Sequence, residues 1–303
     1  MLRSLRPLVR RVVPKAPLYR AWEQYTRLKS RQARAAFEAA PATPAWLGWD
    51  ELALLQAQYP LRPSTYRYDP AGLEQTARQR IREMLRPAGH DGERLQVFLD
   101  LGTWDGTMCD LLQKSGKEAY GIDVRVEGIT ETIRRGGARF ARMDAARLGF
   151  AADKFDFVFS YNSFEHFPDP ERALYEAWRV ARPGGYIYLN FGPLYYTSRG
   201  AHQYDTISVP YCECLFPDEI LAGFAEANGL ELKPFEWMNR WRYSQYRALF
   251  DRFADRLETI DYLEIYVPDD VELIERYPSC FRSKTDNFDD LIVSNIEVLF
   301  RKR

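Results

Sequence analysis

The chain of 303 residues carries a formal net charge of −1, enough length for a sizeable core and no global basic field of the kind nucleic-acid binders use. No run reaches the roughly 18 apolar residues of a membrane span, and the apolar pieces at the N-terminus, cut by Arg and Pro, do not read as a signal peptide. Four cysteines (Cys109, Cys212, Cys214, Cys280) are too few for a disulfide framework at this length, so a reduced, cytoplasmic setting is expected. Cys212-x-Cys214 lacks further zinc ligands nearby and no metal is expected.

The near-neutral balance hides an uneven distribution. Residues 1–35 hold ten Lys/Arg (Arg3, Arg6, Arg10, Arg11, Lys15, Arg20, Arg27, Lys29, Arg31, Arg34) against Glu23 alone, which leaves this arm at +9 and the remainder at −10. Leu18, Trp22, Tyr25 and Leu28 recur at helical spacing within it. Two readings follow: a helix docked on the main body with a solvated basic face, or a surface helix resting on anionic lipid, at the inner membrane surface. Pro41 and Pro44 then break the chain. Residues 48–90 form a helical lead-in. Asp50 can cap Glu51–Gln58, and Asp69-Pro70 is a strong helix start that opens a stripe of Leu73, Ala77, Ile81 and Leu85.

The most informative stretch is Leu95–Asp123. An apolar run, Val97–Leu101, meets a glycine-bearing turn (Gly102, Thr103, Trp104, Asp105, Gly106). Met108, Leu111 and Leu112 follow at helical spacing, Gly116 stops that helix, and a second run ends in Asp123. This reads as strand, turn, helix, strand, with a ligand where the first strand hands over to the helix. An acid at Asp123 can take both hydroxyls of a ribose. A dinucleotide fingerprint needs G-x-G-x-x-G, whereas the pattern here is G-x-x-x-G with Asp100 two residues ahead. Asp100 would repel a pyrophosphate and attract an ammonium.

The alternation continues. Val126–Arg134 reads as a helix ended by Gly136-Gly137, Arg139–Ala141 as a third strand and Phe155–Ser160 as a fourth. Pro168-Asp169-Pro170 opens a helix over Glu171–Ala181, which Arg182-Pro183-Gly184-Gly185 ends before a fifth strand, Tyr186–Asn190. A tyrosine-rich loop follows, with Tyr195, Tyr196 and Tyr204 as candidate substrate walls and His202 as a candidate general base. His166 is a second candidate, balanced against a packing role. Asp218–Ala227 is a helix, Leu230–Phe235 a sixth strand and Asp290–Phe300 a seventh. Residues 240–288 read as an insertion carrying a helix at Arg242–Leu257, either shaping the substrate mouth or making a dimer contact.

Asp100, Gly102 and Gly106, together with the helix, R-P-G-G, strand order after Glu165-His166, resemble the class I S-adenosylmethionine-dependent methyltransferases. Trp104 departs from that family's pattern, standing where it has a middle glycine. The resemblance implies an α/β fold: a doubly wound, seven-stranded, mostly parallel Rossmann-like sheet with an N-terminal helical extension. It divides the chain into a basic arm (1–47), a lead-in or cap (48–90) and the cofactor domain (91–303). It further implies S-adenosylmethionine as cofactor, held by Asp100, Gly102, Thr103, Gly106, Asp123, Val124, Asp144, Ala145 and Tyr161, with Asp144 toward the adenine amino group or else capping a local helix. Tyr66 and Tyr68 are candidates to cover the site. The expected reaction is O-methylation of a small molecule or glycan. The rival readings are methylation of tRNA or protein, tethered by the arm, and a scaffold subunit in which Trp104 blocks the cofactor.

Overall fold

The computed structural model describes residues 15–61, 66–203 and 205–303, with side chains from residue 18 onward. Seven strands form one sheet: β1 (Val97–Leu101), β2 (Glu118–Asp123), β3 (Arg139–Arg142), β4 (Phe155–Tyr161), β5 (Ala181–Phe191), β6 (Leu257–Tyr266) and β7 (Val293–Lys302), in the order β3-β2-β1-β4-β5-β7-β6. The helices of two turns or more are α1 (Lys15–Lys29), α2 (Arg31–Ala39), α3 (Trp49–Gln58), α4 (Pro70–Leu85), α5 (Thr107–Lys114), α6 (Pro170–Val180), α7 (Asp218–Ala227) and α8 (Tyr243–Arg252). None of the described helices is long and apolar enough to cross a membrane.

The described residues form two compact units. One gathers those of Arg62–Tyr195, Pro234–Leu263 and Ile296–Arg303; the other gathers those up to Leu61, Tyr196–Lys233 and Glu264–Asn295. In the first unit β1 pairs parallel with β2 (Leu99 opposite Tyr120) and with β4 (Leu99 opposite Val158). β5 continues in parallel beside β4, and β7 runs antiparallel to β5 (Leu189 opposite Val298). Phe98, Leu99, Phe157, Val158, Ile187 and Leu189 are fully buried, which is why these strands read as near-continuous apolar runs. Strand order reverses between β1 and β4, so their carboxyl ends flank the crevice where open α/β sheets bind ligands.

Local chemistry explains most boundaries. Asp69 caps α4 by accepting the Gly72 N–H at 3.0 Å, with Pro70 at the first helical position. Of the stripe Leu73, Ala77, Ile81 and Leu85, Ala77 is buried and the others are half-buried, and Met84, outside that stripe, is fully buried. R-P-G-G does not lie between helix and strand: α6 ends at Val180 and these residues belong to β5, where Gly184 adopts φ +73° and Arg182 pairs with Asp156 at 2.9 Å. Val126–Arg134 contributes only one turn of helix, Glu131–Arg134, capped by Thr130.

One strand is misplaced by the sequence reading. Residues 230–235 contain no strand, and β6 instead lies within the stretch read as an insertion. Most of its positions are half-buried or exposed, so the apolar alternation that marks an inner strand is absent. In the second unit Phe37 meets Phe288 edge-on at 5.5 Å, Trp49 packs on Phe224 at 5.5 Å, and Tyr211 meets Phe281 at 5.1 Å.

Candidate active site

The turn after β1 is built from three left-handed residues. Gly102 (φ +82°) and Gly106 (φ +76°) take conformations open to glycine. A Cβ on Gly102 would lie 2.5 Å from Ser163, and one on Gly106 would lie 2.8 Å from the Phe140 ring. Between them Trp104 also takes a left-handed φ, +49°. That is a conformation open to glycine, the residue that the resembling family has at this position, and it is adopted here under a bulky side chain. The Trp104 ring does not point into the core: it is 50% exposed and stands edge-on to Tyr68 at 6.1 Å. Tyr68 in turn packs on Tyr66 at 4.8 Å.

The backbone of this turn reaches across to β2. Gly102 and Thr103 N–H both donate to the Ile122 carbonyl, and Trp104 N–H donates to Asp123 Oδ2 at 3.1 Å. Asp123 Oδ1 accepts the Arg125 N–H at 3.0 Å. The carboxylate is thereby pinned at the strand end, with lone pairs left for two hydroxyls. Asp100, at the end of β1, is buried, and burial pushes its carboxyl up to about 7, helped by Asp105 and Asp123 and opposed by Thr103 and Arg80. The Thr103 hydroxyl is turned toward Asp100 and the Cys109 thiol.

Arg80, on α4, is the cation of this site. Its guanidinium lies over the Tyr161 ring, 4.5 Å from the centroid, and acts electrostatically on Asp100, Glu165, Tyr66 and Tyr161. Among the described residues no hydrogen bond or ion pair uses its donors. Tyr161 is held from below: its hydroxyl donates to Glu83 at 3.1 Å and accepts from Asn190 at 3.2 Å, while Gln79 donates to the other Glu83 oxygen. A half-buried fork with unspent donors beside a buried acid suits a ligand bearing both a carboxylate and an ammonium.

The segment after β4 is held by a second polar cluster. Glu165 is buried and pushed up to about 8 by that burial; one oxygen accepts the Gly192 N–H at 3.0 Å and the other has no hydrogen-bond partner. Asn239 donates to the Phe164 and Phe167 carbonyls and accepts from the Tyr246 hydroxyl. His166 Nδ1 lies 2.8 Å from the Trp237 carbonyl. A carbonyl can only accept, so Nδ1 carries the proton and Nε2 is the basic nitrogen of the neutral ring. The Trp237 ring also receives the Arg125 guanidinium at 4.7 Å. Glu165 and His166 therefore face different partners and do not work as a pair.

Of the residues singled out from sequence, Asp100, Gly102, Thr103, Gly106, Asp123, Val124, Asp144, Ala145, Tyr161, His166 and Tyr195 belong to the sheet-bearing unit. Val124 is exposed and Ala145 buried. Asp144 Oδ1 caps a turn through the Ala146 N–H at 2.8 Å, in place of a helix over 145–148. Tyr195 is buried with the Arg240 guanidinium over its ring. His202 and Tyr196 belong to the other unit, where the His202 carbonyl accepts from Lys233 at 2.8 Å. Tyr204 lies outside the described residues. Arg80, Glu83, Asn239 and Trp237 were not anticipated. Arg80 had a signal: it sits three residues after Ala77 and four before Met84, at helical spacing from both.

The donor set fits S-adenosylmethionine: a pinned acid for a ribose, and an acid and a cation for the amino-acid end. Residues 99–189 match the family model described as a methyltransferase domain. A ubiquinone biosynthesis O-methyltransferase of Coxiella burnetii is 27% identical over 150 residues, covering 44% of this chain and 63% of that protein. An uncharacterised methyltransferase of a Mycobacterium species is 35% identical over 98 residues, covering 32% and 38%. The chain thus spans less than two thirds of the curated relatives it matches. A putative S-adenosylmethionine-dependent methyltransferase structure from Listeria monocytogenes superposes with a TM-score of 0.47 at 12% identity, over 75% of this chain and 98% of that one. Residues 99–189 thus carry a methyltransferase domain, and its glycine turn and sheet order resemble those of the class I S-adenosylmethionine-dependent methyltransferases.

Proposed function

We propose that the protein methylates a hydroxyl on a small-molecule or glycan acceptor, in a cytoplasmic setting. The observation that carries the cofactor half of this reading is Arg80, with unspent guanidinium donors, lying over the Tyr161 ring and acting electrostatically on the buried Asp100. When bound, S-adenosylmethionine supplies a methyl group on a positively charged sulfur, an electrophile that needs no further activation. Asp123 would take the ribose hydroxyls, Arg80 the carboxylate and Asp100 the ammonium. Thr103 and Val124 would flank the ribose, and Asp144 and Ala145 the adenine. Tyr161, itself hydrogen-bonded to Glu83, offers its ring to the Arg80 guanidinium. With the electrophile supplied, the protein's main task is alignment of the acceptor oxygen.

A hydroxyl acceptor sheds a proton, and His202 and His166 are the two candidate bases. The Nδ1–H contact to the Trp237 carbonyl supports His166, because it leaves Nε2 basic. Tyr195, Tyr196 and Tyr204 are proposed for the acceptor wall. Contact with a membrane surface through residues 1–35 fits an acceptor that is itself lipid-linked.

Calorimetric titration with S-adenosylmethionine tests the cofactor half. Micromolar binding by the wild-type protein, weakened about 30-fold in Arg80→Met by the loss of a charge-assisted contact, is expected. Absence of binding by the wild-type protein would leave the scaffold reading. A salt-sensitive methyl transfer to tRNA, lost without residues 1–35, would replace the small-molecule acceptor.

A further inference from the structure

The arm sorts its cations by face. Toward the second unit's own core, Arg27 donates to Glu23 at 2.9 Å, to Asp289 at 3.3 Å and to the Tyr266 hydroxyl at 2.9 Å, and Arg34 pairs with the same Asp289. Trp22 Nε1 donates to the Tyr266 carbonyl at 2.7 Å, and Ala33 and Phe37 are buried. The other face is different. Leu28 is 70% exposed and Tyr25, one turn earlier, 39% exposed. Arg20, Lys29 and Arg31 surround them, exposed, and among the described residues none of the three has a hydrogen bond or ion pair. An open cleft of about 360 Å³ lies here, lined by Leu28, Lys29, Arg31, Gln32 and Ala35.

The apolar stripe of α1 therefore divides: Trp22 docks, together with Arg27 and the buried face of α2, while Tyr25 and Leu28 face water. Helical spacing alone could not tell these faces apart, because the paired arginines that fix α1 are read as polar surface.

We propose that the outward face of α1 and α2 is a docking site for an anionic lipid bilayer, with Lys29, Arg31 and Arg20 on headgroup phosphates and Leu28 and Tyr25 in the acyl boundary. Two chemistries sit side by side on this face, and a bilayer satisfies both. Cations alone would suit any polyanion, but an RNA backbone offers nothing apolar for Leu28 to bury against. The inference stands on this face alone and is independent of the methyl-transfer chemistry.

Flotation of the full chain with vesicles tests it, comparing phosphatidylcholine alone with mixtures containing phosphatidylglycerol. Binding to the mixed vesicles and not to phosphatidylcholine is expected. Lys29→Gln with Arg31→Gln should weaken it roughly 25-fold, about fivefold for each cation removed. Leu28→Gln should weaken it about tenfold and leave a salt-sensitive remainder. Both variants change outward side chains, so unaltered thermal melting checks that the fold is intact. Failure of the wild-type protein to float with anionic vesicles overturns the proposal. So does unchanged flotation of Leu28→Gln, or tighter binding of single-stranded RNA than of the vesicles, either of which makes the face a site for polyanions in general.

Discussion

Asp100 in the sheet-bearing unit and Glu213 in the other are both fully buried carboxyls displaced upward by that burial, to about 7 and about 8. Their surroundings differ. Asp100 closes β1 beside a turn with three left-handed residues and is acted on by an arginine with unspent donors. Glu213 is wedged in a short helical turn between two thiols, Cys212 at 3.7 Å and Cys214 at 3.9 Å. The same displacement thus arises in a site and in a packed core. What marks a site is a second group of complementary charge, with spare hydrogen-bonding capacity, beside the first.

The sharpest test of that contrast is a matched pair of amide substitutions. Asp100→Asn is expected to weaken S-adenosylmethionine binding ~30-fold near pH 8, the loss of a charge-assisted contact to the ammonium. Glu213→Gln should leave that affinity unchanged. The wild-type protein should bind more tightly as pH rises through about 7, since the ammonium favours the ionised form of Asp100, and Asp100→Asn should flatten the profile. Calorimetry at several pH values measures both. Equal losses in the two variants would break the comparison.

A weaker effect is expected in stability. Asp100, Glu165 and Glu213 each hold a proton more tightly in the folded chain than in the unfolded one. Their contribution is complete below the ordinary carboxylate range and is lost as pH rises through about 7 to 8, so melting temperature should fall across that window. Glu165→Gln keeps an acceptor for the Gly192 N–H and removes the ionisation. It should be the more stable protein above about pH 8, by about 1 kcal/mol, with a shallower decline. Thermal melts from pH 5 upward would show a parallel decline if Glu165 were not one of the groups responsible.

Legibility followed the strength of local chemistry. The Asp69-Pro70 cap, the β1–turn–α5–β2 unit and α7 at Asp218–Ala227 were readable, because caps, glycines and apolar runs leave their mark residue by residue. β6 was not: Glu258, Asp261 and Glu264 break its alternation, and the shorter stretch Leu230–Phe235 drew the assignment. Within the site, Asp123 and the two glycines were readable from spacing. Arg80 shows in the sequence only as a cation at helical spacing from Ala77 and Met84; its place over the Tyr161 ring became visible only in the structure, since nothing in the sequence pairs the two residues.

Trp104 shows where such reading is weakest, and it carries the smallest expected effect. The family pattern places glycine there, and the natural inference is that an indole would fill the cofactor's space. The structure separates backbone from side chain. The left-handed φ is retained, costing roughly 1–2 kcal/mol for a residue with a Cβ, and the ring lies against Tyr68 with half its surface in water. Trp104→Gly should recover that strain. It should give back much of the gain through the greater chain entropy of unfolded glycine, about 0.5–1 kcal/mol, and through the lost aromatic contact, about 0.5 kcal/mol. The net change in stability is expected to be under about 1 kcal/mol. Cofactor affinity should stay within about threefold, because the N–H donated to Asp123 belongs to the backbone and survives the substitution. A tenfold gain in affinity would mean that the ring obstructs the pocket. A tenfold loss would mean that Trp104 and Tyr68 form part of the wall over the adenosine half, and that an aromatic pair has replaced close backbone approach as the means of holding it.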